Sequence, residues 1–110
     1  MTGVLTAGYR DVTSHEVTVP AQGFRIVDVR EPAEFKGELG HIPGAVLVPL
    51  ATVPAQSVGW NKEEPLLLVC KAGGRSGSAA QALRQLGFSK VMNLVGGMMG
   101  WNAAGKTIEK

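Results

Sequence analysis

A chain of 110 residues with 45% hydrophobic side chains builds one domain around one core, and little is left over for a second. The net charge of +2 comes from scattered basic residues, and with a single Tyr there is no basic-aromatic surface, which argues against nucleic acid as a partner. No apolar stretch approaches the ~20 residues needed to cross a bilayer, which argues against a membrane span.

Strand and helix signals alternate along the chain, the pattern of an α/β domain with a mainly parallel sheet. Residues 9–12 read as a short edge strand, and Ser14 as the cap of a brief helix through Val19, ended by Pro20. A strand at 24–29 is followed by a short helix over 32–36 with Pro in its first turn. After the turn at 41–44 come a weak strand over 46–50 and a short helix over 52–58. Leu66-Leu67-Leu68-Val69 has no polar position, so it reads as a central strand buried on both faces. Residues 78–86 form the best helix, closed by Gly87. A last strand at 91–94 and a helical turn at 98–103 complete a core over 9–104, and a polar tail at 105–110 is expected to be loose.

The run Cys70-Lys71-Ala72-Gly73-Gly74-Arg75-Ser76 carries the chemistry. It places the only cysteine at a strand-to-helix turn, where unpaired N–H groups and the helix dipole favour an anion. Such a thiol is pushed toward thiolate. Gly73 and Gly74 permit the dihedrals of an inward-facing nest, and Ala72 adds little bulk. Arg75 offers a planar fork of donors for an oxyanion, Lys71 adds positive potential, and Ser76 supplies a hydroxyl or a helix cap. The substrate expected from this cationic bowl is a small anion carrying an electrophilic atom.

This loop resembles the active-site loop of rhodanese-type sulfurtransferases. The segment from Asp28 to Phe35, continued by Gly40-His41-Ile42-Pro43-Gly44-Ala45, resembles the family's upstream signature. Asn93-Leu94-Val95-Gly96-Gly97-Met98 with Trp101 resembles its C-terminal one. The resemblance implies a small α/β domain with a central, mainly parallel sheet of about five strands flanked by helices. It also implies a double displacement: Cys70 takes the outer sulfur of thiosulfate or a similar donor as a persulfide, then passes it to cyanide or a thiol. No metal or organic cofactor is implied. Residues 71–76 would bind the donor. The six residues from Cys70 through Arg75 match the loop length that the resemblance associates with sulfur substrates, whereas related phosphatases and arsenate reductases have one more. Leu47 replaces an Asn common in the family, and residues 36–40 run slightly longer than the usual spacing.

With one cysteine the chain cannot resolve its own persulfide as an internal disulfide, so the acceptor comes from outside, a sulfur-relay protein included. The same fact keeps open a persulfide carrier with little turnover of its own, and a small phosphatase or arsenate reductase is the remaining alternative. A free thiol and a start without a basic segment and apolar run fit a cytoplasmic protein. Asp28 and Arg30 share a strand face and read as a structural ion pair. His41 reads as a backbone-ordering turn residue and His15 as exposed. Two distant histidines and one cysteine make no metal site. Met98, Met99 and Trp101 are either core or an apolar wall beside the cysteine, and Trp60 either packs or docks a partner.

Overall fold

The computed structural model describes residues 4–6 and 8–110. Six strands form one sheet: β1 (Val4–Thr6), β2 (Tyr9–Val12), β3 (Arg25–Asp28), β4 (Val46–Leu47), β5 (Leu66–Val69) and β6 (Val91–Leu94). Their order across the sheet is β1-β2-β6-β5-β3-β4. The five strands from β2 to β4 are mutually parallel, and β1 alone runs antiparallel, against β2. Helices α1 (Pro32–Phe35), α2 (Val53–Gln56), α3 (Gly74–Gln85) and α4 (Gly97–Ala103) fill the connections.

The sheet buries both faces, and each core strand divides its side chains between them. Leu66, Leu68 and Cys70 join Val27, Val29 and Val91 under α3, whose Ala79, Ala80 and Leu83 close that layer. Leu67 and Val69 turn the other way and meet Ile26, Met92, Leu94, Met98 and Trp101 beneath α4. All four β5 residues are buried, as the unbroken apolar run requires.

The chain leaves β3 for one side of the sheet and β5 for the other, so strand order reverses between them. Ligands of open parallel sheets bind in the crevice outside the strand C-termini at such a switch point. The connections beginning at Val29 and at Cys70 both start there.

Several boundaries differ from the sequence reading. Residues 9–12 are not at the edge, because β1 covers them on the outer side. The expected helix from Ser14 shrinks to one 3-10 turn, Ser14–Glu16, and Thr13 is its cap, its N–H donating to Glu16 Oε1 at 2.9 Å. The strand at 46–50 is only Val46–Leu47, after which Leu50–Thr52 turns into α2. Helix α3 starts at Gly74, four residues before the expected 78, so Arg75 and Ser76 lie in its first turn.

The tail at 105–110 is docked rather than loose. Glu109 and His41 exchange two backbone hydrogen bonds, of 2.8 and 2.9 Å. The Trp101 indole N–H donates to the Thr107 carbonyl at 2.9 Å, and Lys106 Nζ donates to the carbonyls of Ser14 and Val17. Polar composition makes this segment look solvated, but the Lys106 ammonium and the backbone of Thr107 and Glu109 bond back to the folded body. Among the described residues, no helix is long and apolar enough to cross a membrane.

One buried ion pair ties these parts together. Asp28 and Arg30 are 0% and 1% exposed, with Arg30 Nη2 donating to Asp28 Oδ2 at 2.8 Å and Nε to Oδ1 at 2.9 Å. The same guanidinium donates to the carbonyls of Gly40 and Glu34. Removing one partner strands a buried charge, at a cost of about 3–5 kcal/mol. Asp28→Ala is expected to lower urea-unfolding stability by that amount, and a loss below about 1 kcal/mol would contradict the assigned role.

Candidate active site

Cys70 follows β5 directly, and α3 begins four residues later, so the chain must reverse over residues 71–73. Gly73 makes the reversal with φ +109°, a conformation that side chains disfavour. The loop then closes over the sulfur. The Gly73 N–H donates to Cys70 Sγ at 3.0 Å, and the Ser76 hydroxyl lies 3.3 Å from it.

Helix α4 fixes the outer side of the loop. The N–H groups of Met98 and Met99 donate to the carbonyls of Cys70 and Lys71 at 2.8 and 3.0 Å. This approach explains Gly97: a Cβ there would lie 2.4 Å from the Cys70 carbonyl oxygen. Gly97 therefore serves close backbone packing against the cysteine loop, and Gly96, with φ +80°, turns the chain into α4. Met98 and Trp101 are fully buried core, while Val95 and Met99 are exposed, so the 94–101 segment is core beneath and apolar surface above.

Cys70 is 1% exposed. Burial opposes ionisation most strongly, but the Ser76 hydroxyl and the N–H groups of Ser76, Gly73 and Ala72 together outweigh it. The net result holds the thiol below its ordinary 9.0.

Arg75 makes a contact that its place in the sequence did not disclose. Its two terminal nitrogens donate to the two Glu34 oxygens at 2.7 and 2.8 Å, a bidentate pair between α3 and α1. The Arg75 guanidinium holds Glu34 at about 2, well below its ordinary 4.5, and Glu34 raises Arg75 in turn. The depressed carboxyl means the pairing is complete above pH 4.5 and is lost as pH falls through about 2. Both side chains keep about a third of their surface in solvent, so the pair orients the arginine more than it stabilises the fold.

The remaining expected residues fall into place around this centre. Lys71, Ala72 and Gly74 are exposed on the rim, Gly73 and Arg75 are half-buried, and Ser76 is buried. Ser76 does not cap α3; it lies inside the first turn and donates to Asn93 Oδ1 at 2.5 Å. His41 orders its turn, Nδ1 lying 2.9 Å from the Phe35 carbonyl with the rings stacked at 3.7 Å. His15 is exposed. Trp60 packs edge-on against Phe88 at 6.2 Å. Sequence reasoning missed Glu34 and Asn93 as neighbours of the loop; the signature segments contained both, but their partners are 41 and 17 residues away.

Known proteins resemble this chain in sequence and in fold. The model of the rhodanese-like domain matches residues 13–104. A Bacillus subtilis protein, YrkF, whose name describes a candidate sulfur carrier, is 40% identical over 86 residues, 78% of this chain and 44% of that protein. The chain thus spans less than half the length of that relative. The thiosulfate sulfurtransferase GlpE of Tolumonas auensis is 33% identical over 76 residues, 69% of this chain and 70% of its own. A crystal structure of a rhodanese-like domain protein from Staphylococcus aureus superposes with a TM-score of 0.76 at 32% identity, covering 91% of this chain and 98% of that one.

If converging amides ionise Cys70, the rate of its alkylation by iodoacetamide should titrate with a midpoint below 9.0. Gly97→Ala should push the Cys70 carbonyl away, raise that midpoint and cost on the order of 2 kcal/mol. An unshifted midpoint and unchanged stability in that variant would refute the packing account.

Proposed function

The chain belongs to the rhodanese-like domain family, and from that footing we propose that it moves sulfane sulfur from thiosulfate or a similar anion to an external acceptor through a persulfide on Cys70. The observation that carries this reading is the sulfur of Cys70 lying 3.0 Å from the Gly73 N–H at the floor of a glycine-rich, cationic loop. The family is one of sulfurtransferases and sulfur carriers, and the finer assignments rest on the site.

In the first step the Cys70 thiolate attacks the outer sulfur of thiosulfate. A new S–S bond forms, the original S–S bond breaks, and its electron pair departs with sulfite. The N–H groups of residues 71–76 would stabilise the charge on the donor and the leaving group, and the Arg75 guanidinium, held by Glu34, would add positive potential beside them. Lys71, exposed at the rim, would draw in the dianion. In the second step cyanide or a thiol attacks the outer sulfur of the persulfide, and the Cys70 thiolate leaves. Atoms and electrons balance without an oxidant or a cofactor.

A free thiol as the working group suits a reducing compartment, and we place the reaction in the cytoplasm. A second reading, a carrier loaded by a partner protein, is favoured by the likeness to YrkF and by the lack of a second cysteine in this chain. The two differ in the source of the sulfur and in turnover.

Thiosulfate should add the mass of one sulfur atom to the intact protein, and cyanide should then remove it as thiocyanate. Cys70→Ser should abolish both. A Cys70→Ser protein that still makes thiocyanate would discard the mechanism, and loading without turnover would select the carrier. Lys71→Ala should raise KM for thiosulfate about threefold to tenfold, with a weaker salt dependence and little change in kcat. A loss confined to kcat would remove Lys71 from substrate capture.

A further inference from the structure

The Ser76 hydroxyl has one proton to donate and three acceptors around it. Asn93 Oδ1 lies at 2.5 Å, while Cys70 Sγ and the Gly73 carbonyl oxygen both lie at 3.3 Å. Distance assigns the proton to Asn93 in this structure, leaving the Ser76 oxygen to face the sulfur.

Asn93 has no freedom to refuse. It alternates on β6 with Met92 and Leu94, which fill the opposite layer, so its side chain turns toward α3. It is 6% exposed. Its neighbour in sheet register is Asp11 on β2, and Asn93 Nδ2 donates to Asp11 Oδ1 at 3.1 Å. A carboxylate only accepts, so the amide nitrogen must face Asp11 and the amide oxygen must face Ser76. Gly77 makes room for the arrangement: a Cβ there would stand 3.3 Å from Tyr9 Oη and 3.7 Å from Asn93 Nδ2.

We propose that Asn93 is a positioning residue for Cys70: oriented by Asp11, its amide oxygen competes with the sulfur for the single Ser76 proton. While Cys70 is a thiol, that proton stays with Asn93. When the sulfur gives its own proton to solvent, the Ser76 hydroxyl swings from the amide oxygen to the thiolate. Only hydrogen bonds are exchanged. Ionisation therefore costs the Ser76–Asn93 bond, and Asn93 restrains the nucleophile that the loop amides promote.

The other charged or titratable groups around the site are Lys71 on the loop, Arg75 in the first turn of α3, Glu34 on α1, Asp28 at the end of β3 with its partner Arg30, and Asp11 and Tyr9 on β2. A change at Asn93 alters the setting of Asp11 as well, so the test compares backgrounds with and without Ser76.

The inference rests on Cys70 being the reactive sulfur of the proposed function, but its readout needs no sulfur transfer. The pH midpoint of iodoacetamide alkylation should fall by about half to one unit in Asn93→Leu. In the Ser76→Ala background the same substitution should leave the midpoint unchanged. Asp11→Asn frees the amide to turn and donate to Ser76, so it should also lower the midpoint, and by more with Ser76 present than without. That variant keeps the test open should Asn93→Leu not fold. A midpoint that rises in Asn93→Leu, or shifts equally with and without Ser76, overturns the proposal. Shifts as stated in a protein that takes no sulfur from thiosulfate would uphold it and sink the proposed function instead.

Discussion

The site depends on how two peptide units are turned. In a trans peptide the carbonyl and the following N–H point in opposite directions. The Cys70 and Lys71 carbonyls are drawn outward by the Met98 and Met99 N–H groups of α4. The N–H groups of Lys71 and Ala72 must then face the other way, and the Ala72 amide is among those that favour the ionised sulfur. The nest is thus imposed from behind, by backbone donors of a neighbouring helix. Replacing its backbone donors with water would let the same loop relax, and Gly97, the first residue of α4, lets those donors come close enough.

A second layer of constraint is ionic. The returns from β3 and β5 meet at the switch point of the sheet, and each supplies an arginine. Arg30, buried, staples its own loop through Asp28 and the carbonyls of Glu34 and Gly40. Arg75, at the rim, is held by the side chain of that same Glu34. One residue therefore links the scaffold arginine, through its backbone, to the arginine of the bowl, through its carboxylate. The division of labour follows burial: the pair without solvent fixes the fold, and the half-exposed pair aims a donor group.

How much of this the residues announced depends on the range of the interactions. Strands β5 and β6 were legible to the residue, because a run such as Leu66–Val69 leaves no alternative to burial on both faces. The Asp28–Arg30 pair was legible because its partners are two apart. Helix α3 starts earlier than expected because Gly74 and Ser76 are weak helix formers, so its start is decided by the cysteine loop rather than by propensity. Strand β1 was missed, since three residues carry too little pattern to register. The tail was misjudged for the opposite reason: polar residues at 105–110 signal solvent only when no buried carbonyl awaits them, and Ser14, Val17 and His41 provide three. Contacts such as Ser76–Asn93 and Arg75–Glu34 belong to topology and were out of reach of local reading.

The two borders of the sheet have a consequence for association. Among the described residues the outermost strands span three and two residues, Val4–Thr6 on one side and Val46–Leu47 on the other. Borders that short offer almost no unpaired ladder for a foreign strand to extend, which protects against fibre-like growth. Lateral augmentation is therefore a poor route for any visiting protein. Approach along the strand axis, onto the end where Lys71, Val95 and Met99 stand open to solvent, leaves the hydrogen-bonded interior undisturbed.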